Sequence, residues 1–578
     1  MSGARRPWRA LGLLAALCAG ACAGRGSFVG GTGGTGGGSG GSGNSGGSGN
    51  SGSGGTTPTA ATGLELDCPT APPGSPLLRL LTRNELQNTL DDIFPSVKGQ
   101  WTASLPASTI SDFGFDNDGA STVGNQMASA LLDAATSLAT ALTGSGLATL
   151  LPCSTSSPNH ACAQTFLQTY GPRLFRRPLT TAEQTSYLAF FDASMGKSNF
   201  TSALKWMAIG LIQSPNAVYR SEIGTVQSDG TRQLSSYEVA TELAYTYSGS
   251  TPTSALLTTA GSGNLGDLVA AARTLIATDS GKAAMQHFFE QYFEYSTAPS
   301  LQKPNIASFA QVSTDMLSET QAFIDQIVFQ NAGGLADLLT APTTNPSKAL
   351  AAYYATGNDY SGGFPVPTTD YAQVTRPSGL GIGILAQGAF LATHASSTAS
   401  SPTKRGLFPF YKLFCSPKLT PPPNVPPIDT TTVTATVHTT RDRYELVHEL
   451  TNGATGSCAG CHKYFDPIGF GSEHFDEGGR FRAMEGTYPI NSADSVMTPD
   501  GSATLTFTDE EDLMNDLVGQ PIIHQCVAAY LATFAYGTTD ACIGSSPVTD
   551  LQSGKIGLAE AFAQLANEPH FTTRSSGQ

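Results

Sequence analysis

Apolar residues recur mainly at helical spacing along most of the chain. Four segments open with a Ser/Thr-x-x-Glu capping box, whose hydroxyl and carboxylate satisfy the first backbone N–H groups of a helix. The boxes pair Thr82 with Glu85, Thr180 with Glu183, Ser235 with Glu238, and Thr508 with Glu511. The spacing predicts further helices over residues 127–142, 202–213, 268–278, 283–293, 313–330, 380–392, 441–450 and 522–536.

Strand-like alternation is short and rare in this sequence. Residues 431–436 alternate β-branched side chains, and residues 488–490 and 503–507 can pair across a turn at Asp500-Gly501. We therefore predict a mainly α protein with a multi-domain helical body, a small C-terminal helical unit and a short β-hairpin.

Breaks rich in proline and glycine fall near residues 343–378 and 416–430, and residues 421–427 form an extended, stiff proline-rich string. They separate a large helical body from the C-terminal part of the chain. The predicted division is an N-terminal helical domain at 63–150, and further domains at 151–215, 216–375, 376–490 and 491–578.

The N-terminus is typical of an export signal. Arg5, Arg6 and Arg9 precede an apolar run over 11–21 that is too short to span a bilayer. The run ends in Ala19-Gly20-Ala21-Cys22, which resembles a bacterial lipobox with Cys22 as the acylated residue. We predict a lipoprotein signal at 1–22, with simple secretion as the alternative. The anchored protein would lie at the outer membrane or cell surface.

A low-complexity segment follows the predicted lipid anchor. Residues 24–57 are nearly all Gly, Ser, Thr and Asn and have no apolar period, so they cannot bury enough surface to order themselves. We therefore predict a flexible tether at 23–62 that holds the folded body away from a membrane.

The amino-acid composition argues against one class of partner, nucleic acid. Only 13% of the 578 residues are charged, and the formal net charge is −15. Binding to nucleic acid needs a concentrated Lys/Arg surface, so nucleic acid is not an expected partner. The acidic balance fits an exported protein.

Eight cysteines follow Cys22, and pairing is the default in an oxidising compartment. Proximity in the sequence favours Cys153 with Cys162 and Cys526 with Cys542. Cys68 and Cys415 would then be left to each other. The sequence alone leaves this connectivity open.

The chemistry-bearing motif is Cys458-Ala459-Gly460-Cys461-His462. In a C-x-x-C-H motif the two thiols can add to the vinyl groups of one haem, and the histidine can bind the iron as proximal ligand. We therefore predict one covalent haem c and a C-terminal unit of c-type-cytochrome-like character. The alternatives are a zinc site at Cys458 and Cys461, with His462, His448 or His474 nearby, and a redox-active cysteine pair.

Residues downstream of the motif suggest further haem contacts. Arg480 or Arg482 could pair with the propionates, since arginine binds carboxylates bidentately; the alternative is a capped turn with a solvated arginine pair. A second His or a Met could complete the iron coordination. Six residues are candidates: His448, His474, Met484, Met497, Met514 and His524.

One glycine motif does not indicate a cofactor site. Gly381-x-Gly383-x-x-Ala386 imitates a dinucleotide fingerprint, but no strand precedes it. We interpret it as part of a helix that packs closely on a neighbour.

Residues 458–482 as a whole resemble a signature of the planctomycete-cytochrome-associated proteins. The similar positions include Asp466-Pro467-Ile468-Gly469-Phe470 and the later Glu473 and Arg480. These carry tandem uncharacterised domains of the DUF1585, DUF1587, DUF1588, DUF1592 and DUF1595 type. Further similar segments occur in family order. They are residues 80–89, 114–117 (Gly-Phe-Asp-Asn), 175–180 (Phe-Arg-Arg-Pro-Leu-Thr), 214–222, 404–406 (Lys-Arg-Gly), 421–426, and 526–542.

The resemblance implies an exported, haem-bearing, multi-domain protein, and the family's activity is not established. We expect electron transfer at the cell envelope, with a redox partner protein. The alternatives are a haem-dependent oxidative enzyme that acts on an extracellular polymer, and a non-haem adhesive surface protein with a metal or disulfide at the C-x-x-C. No acid–base pair in the sequence suggests catalytic residues.

Overall fold

The structure is a computed structural model that describes residues 73–576, apart from 145, 357–362, 420–436, 453–457 and 539–542. Several predictions lie outside these residues: the signal segment with Cys22, the tether, Cys68, the strand at 431–436, the proline-rich string and Cys542. None of the helices in the described ranges is long and apolar enough to cross a membrane.

Helices dominate the described residues, as predicted. The first hydrophobic core draws its residues from 80–218, with Tyr245 added from a later helix. Its helices are α1 (Arg83–Ile93), α2 (Asn125–Leu142), α3 (Leu147–Leu150), α4 (Cys153–Ser156), α5 (His160–Phe175), α6 (Thr181–Met195), α7 (Phe200–Ile212) and α8 (Pro215–Val218).

A second hydrophobic core runs from Leu234 to Phe571 and also takes in Phe113 and Phe115 from the N-terminal part. Its first helices are α9 (Ser236–Ser248), α10 (Ser254–Gly261), α11 (Leu268–Ile276), α12 (Asp279–Tyr292), α13 (Phe309–Ile324), α14 (Leu335–Thr340) and α15 (Lys348–Ala355). Then follow α16 (Gly388–Thr393), α17 (Pro402–Phe408), α18 (Thr440–Asn452), α19 (Cys458–His462), α20 (Asp466–Phe470), α21 (Glu510–Val518), α22 (Pro521–Tyr536), α23 (Ser545–Gln552), α24 (Leu558–Gln564) and α25 (Pro569–Thr572).

Capping decides where several helices begin. The hydroxyl and carboxylate bonds of a complete capping box are present at Thr82, Thr180 and Ser235, so three of the four predicted boxes are confirmed. The fourth is wrong by one residue. Asp509 caps α21 by accepting from the Asp512 backbone N–H, because a carboxylate serves this position as well as a hydroxyl does.

The strands are short and antiparallel. They are β1 (Leu77–Leu80), β2 (Tyr219–Glu222), β3 (Thr225–Val226), β4 (Arg232–Gln233), β5 (Thr343–Thr344), β6 (Val374–Thr375), β7 (Met484–Glu485), β8 (Tyr488–Pro489), β9 (Asp494–Met497), β10 (Thr504–Phe507) and β11 (Thr573–Arg574). β1 pairs with β2, and β11 pairs with β4. An isolated bridge between Gly74 and Arg574 brings the two ends of the described chain together.

The predicted hairpin exists, but one of its strands was assigned wrongly. β10 pairs with β9, so that Thr504 faces Met497, and the turn between them contains Asp500-Gly501 as expected. The segment around Tyr488 pairs instead with Met484–Glu485. The closer strand wins because it needs a shorter connection.

The helix predicted over 380–392 is also wrong in its first half. Gly381 and Gly383 have φ angles of 75° and 65°, in the left-handed region that favours glycine. A methyl group on Gly383 would overlap the carbonyl of Leu339, so this glycine allows a loop to lie directly on α14. Only Gly388–Thr393 forms an α-helix.

The disulfides confirm one prediction and correct another. Cys153 and Cys162 are bonded. Cys526 pairs with Cys415, 111 residues away, and not with Cys542, because the start of α22 packs against the segment that ends at Cys415. Proximity in the sequence could not reveal this pairing, which tertiary packing decides.

A buried charge cluster joins the two ends of the part of the chain that the structure describes. The carboxylate of Glu222 lies 3.2 Å from Arg79 Nε, 3.4 Å from Arg220 Nε and 2.9 Å from Arg574 Nη2. These four side chains are 1–2% exposed. The cluster therefore fixes β1, β2 and β11 against one another through charge and not through apolar packing.

A second polar contact holds the Gly-Phe-Asp-Asn turn to α12. Nε2 of His287 lies 3.1 Å from Asp116, and Nδ1 lies 3.7 Å from Glu290. Burial alone would lower the pKa of His287, but its interactions with Asp116 and Glu290 raise the pKa to about 9. The imidazolium therefore links the N-terminal turn to the second core at neutral pH.

We expect this contact to make stability fall with rising pH. A raised pKa contributes stability that is fully present below the ordinary value of 6.5 and is lost as the pH rises through about 9. The loss should be about 2 kcal/mol, allowing for the partial exposure of the imidazole. Urea unfolding at pH 6 and pH 9.5 should show it in the wild type but not in His287→Gln; parallel pH profiles would contradict the assignment.

Candidate functional site around the Cys-x-x-Cys-His segment

The motif occupies the single helical turn α19, and α20 follows after three residues. Backbone N–H groups of Tyr464 and Phe465 donate to Cys461 and His462 at 3.1 and 3.2 Å, so the chain continues to turn between the two helices. This continuous turning places His462 and Asp466 on the same side.

Two glycines allow α20 to lie directly on α17. A methyl group added to Gly406 would overlap the carbonyl oxygen of Phe465, and one added to Gly469 would overlap that of Pro402. Backbone therefore contacts backbone in both directions, an approach that only glycine permits. These contacts set the position of Asp466 at the start of α20.

A buried carboxylate orients the imidazole of the motif. Nδ1 of His462 donates to Oδ2 of Asp466 at 2.9 Å, and Thr403 on α17 donates to Oδ1 of the same carboxylate at 2.7 Å. Asp466 is fully buried, whereas the His462 side chain is 22% exposed. With Nδ1 committed to the carboxylate, Nε2 is the nitrogen through which a histidine so oriented binds a metal.

The structure describes the side chain of one of the two motif cysteines. Cys461 is partly buried and forms no disulfide with any residue that the structure describes. The side chain of Cys458 lies outside the described residues, although its backbone belongs to α19. Within the described ranges, no three His, Cys, Asp or Glu side chains form a cluster that could hold a metal ion.

Arg480 and Arg482 both have carboxylate partners within the chain. Arg480 lies 2.8 Å from Asp476. Arg482 lies 3.3 Å from Glu473 and 3.8 Å from Glu485, and burial raises the pKa of Glu473. Both guanidinium groups therefore stabilise the turn after α20, and their pairing with propionates stays a prediction.

A third arginine, which sequence reasoning did not single out, shapes this turn. Arg405 is 2% exposed and donates to the backbone carbonyls of Ser472, Phe475 and Asp476, each at 2.8 Å, and to that of Leu391 at 3.3 Å. Burial lowers its pKa to about 10. The Lys-Arg-Gly segment of α17 thus serves twice, since Arg405 holds the turn and Gly406 admits α20.

Two of the six candidates for a second iron ligand are buried in the second core. Met514 on α21 is 1% exposed, and His524 on α22 is 3% exposed. Nε2 of His524 donates to the Val518 carbonyl at 3.3 Å, and burial lowers the pKa of this histidine. Both residues therefore have structural roles where they lie.

The other four candidates lie nearer the motif in sequence. Nδ1 of His474 donates to the carbonyl of Arg482 at 3.0 Å, which fixes its ring orientation. Met484 and Met497 are 37% and 57% exposed. The backbone of His448 belongs to α18, which packs against α19, but its side chain lies outside the described residues.

The donor set suits the predicted haem. A fixed imidazole tautomer is what a proximal ligand requires, and the buried carboxylate that supplies it is the usual outer partner of a metal-binding histidine. The sequence did carry a signal for this partner, namely the four-residue spacing of His462 and Asp466, but its meaning depends on the turn between α19 and α20.

The fold and this segment define a mainly helical, multi-domain protein with a Cys-x-x-Cys-His helix. Four family models match it in tandem, each described as a protein of unknown function: PSD3 (DUF1587) at 79–144, PSD5 (DUF1595) at 162–222, PSD4 (DUF1592) at 234–355 and PSCyt3 (DUF1588) at 382–485. The chain belongs to the planctomycete cytochrome-associated family. No curated protein and no solved structure is similar enough to count as a match.

Proposed function

We propose that the chain is an exported, lipid-anchored c-type haem protein that transfers electrons at the cell envelope. Cys458 and Cys461 would hold one haem covalently, with His462 as proximal ligand. The observation that carries the proposal is the bond of His462 Nδ1 to the buried carboxylate of Asp466, directly after the two cysteines. The match of this region to the PSCyt3 model supports it.

When bound, a haem supplies a one-electron iron couple. The chain's own residues would set the reduction potential of the iron. The Asp466 carboxylate makes the imidazole of His462 more basic, and Thr403 keeps that carboxylate in place. A more electron-rich imidazole stabilises oxidised iron, so these two residues would lower the reduction potential.

The same carboxylate favours a second candidate function. A strongly donating proximal histidine also suits oxidative chemistry at an iron with an open coordination position, so the protein could act as a haem-dependent oxidative enzyme on an extracellular polymer. Carbon monoxide binding to the reduced protein separates the two. Binding supports the open iron of an enzyme, and no binding supports a six-coordinate electron carrier.

We expect the double variant Cys458→Ser/Cys461→Ser to lose covalent haem, because neither thioether bond can form. The wild-type chain, matured in a host that makes cytochromes c, should show a Soret band and a haem-stained band on a denaturing gel. The double variant Cys153→Ser/Cys162→Ser is the matched control, since it removes two cysteines of a disulfide elsewhere and should keep the haem.

Two results would contradict the proposal. One is a wild-type protein without a Soret band whose mass equals that of the bare lipidated polypeptide. The other is haem staining that persists equally in Cys458→Ser/Cys461→Ser. The first would leave a tethered surface protein in which the cysteines hold a metal or form a disulfide. Radiolabelled palmitate incorporation that depends on Cys22 tests the anchor separately.

A further inference from the structure

A cavity of about 420 Å³ lies where three of the matched family regions meet. Its walls come from α1, β2, α9 and α12, and α22 closes one side. None of its lining residues belongs to 382–485, so the cavity is separate from the Cys-x-x-Cys-His segment. Its volume is typical of a site for a small molecule.

The floor of the cavity contains a buried guanidinium whose contacts with carboxylates are long. Arg220 is 2% exposed and lies 5.3 Å above the ring of Tyr245. Its nearest carboxylates are Glu222 at 3.4 Å and Glu85 at 3.9 Å. Nε faces Glu222 and Nη1 faces Glu85 in these ion pairs, and among the described residues neither atom completes a hydrogen bond. A buried guanidinium with such long contacts gains from a ligand that brings further acceptors.

The rim is polar, and its side chains are held in position. Asp92 accepts a hydrogen bond from Ser250 at 2.6 Å, and Asn88 donates to the carbonyl of Gly249 at 3.2 Å. Asp92, Asn88 and Lys98 are exposed, whereas Ser250 is buried. The cavity therefore has a buried floor and an open mouth whose polar groups need little reordering to bind.

Opposite charges nearly balance around the cavity. Its carboxylates are Glu85, Asp92, Asp116 and Glu290, and its cations are Lys98, Arg220 and protonated His287. A strongly charged ligand would meet repulsion from one set or the other. Hydroxyl groups meet no such conflict, because each can donate to a carboxylate and accept from a cation or an amide.

We infer that this cavity binds a neutral polyhydroxylated ligand, one or two rings of a neutral sugar. Hydroxyls would accept from Arg220 and Lys98 and donate to Asp92 and Glu85. The open mouth beside Asp92 and Ala283 would let the remainder of a longer sugar chain extend into solvent. The inference does not depend on haem, since none of these residues belongs to that site.

The test is calorimetric titration of the full-length mature protein with glucose, galactose and mannose, and with neutral di- and trisaccharides of each. We expect at least one of these sugars to bind. Tighter binding of the oligosaccharides would show that the cavity takes the end of a sugar chain, and equal binding that it takes a free monosaccharide. Ala283→Trp should fill the mouth and weaken binding tenfold or more. Asp92→Asn should weaken it about tenfold, as expected for the loss of a hydrogen bond to a charged group.

Matched controls change the same residue types elsewhere. Asp133→Asn on α2 and Ala193→Trp on α6 alter exposed helical positions outside the cavity and should leave the affinity unchanged. Circular dichroism establishes that each variant is folded, and Asp92→Asn keeps the test decisive if Ala283→Trp does not fold. The inference is overturned if no neutral sugar binds, if only charged sugars bind, or if both cavity variants bind like the wild type.

Discussion

Replacing Glu222 by alanine is expected to lower the free energy of unfolding by about 3–5 kcal/mol. The carboxylate lies within 3.4 Å of Arg79, Arg220 and Arg574, and all of these groups are buried. Burial alone would raise the pKa of Glu222, but the three guanidinium groups outweigh that effect and lower it to about 2. Its removal would leave three buried cations facing one another.

The neighbouring Glu242 is the group that could offset part of this loss. It is fully buried, and burial together with the charge of Glu222 raises its pKa, so the substitution removes one of the two effects that keep it from ionising. The loss should affect β1, β2 and β11 together, since they contribute Arg79, Arg220 and Arg574. Urea unfolding followed by circular dichroism measures the change.

The matched control for this prediction is an exposed ion pair. Glu560→Ala breaks a contact of 2.6 Å with Arg273, whose side chain is 52% exposed. Surface pairs contribute little, so we expect a change below about 1 kcal/mol. Equal effects of Glu222→Ala and Glu560→Ala would refute a structural role for the buried cluster.

The second large effect is expected for Gly469→Ala, which should lower the free energy of unfolding by about 3 kcal/mol. The new methyl group would overlap the carbonyl of Pro402 and force α20 away from α17. Asp466 begins α20 and receives its second hydrogen bond from Thr403 on α17. The substitution should therefore also loosen the support of His462.

Gly460→Ala provides the matched control within the same segment. A methyl group there meets no atom of the described residues within 4 Å, so we expect no loss of stability and a gain of up to about 1 kcal/mol. Thermal unfolding compares the two variants. In haem-loaded protein, Gly469→Ala should also change the absorbance spectrum that reports proximal ligation. A fully stable Gly469→Ala protein would show that the contact with α17 is dispensable.

Local chemistry in the sequence was sufficient to predict much of the helical body. Three capping boxes begin their helices as predicted, and α22 covers the whole of its predicted range, 522–536, and one residue more. The wrong predictions share a cause, which is contact between residues far apart in the sequence. Gly381 and Gly383 look compatible with a helix, but their contact with α14 forces left-handed backbone there. Cys526 likewise takes a partner 111 residues away.

The sequence by itself determined the helical class, the family and the position of the Cys-x-x-Cys-His turn, because helix periodicity, capping and motif spacing act over a few residues. Only the tertiary structure decided which distant groups meet. It paired Asp466 with Thr403, brought Arg574 to Glu222, and formed the cavity beside Arg220 from helices far apart in the chain. Such contacts depend on how close two backbones can approach and on which buried charges must be compensated, and neither can be read from neighbouring residues.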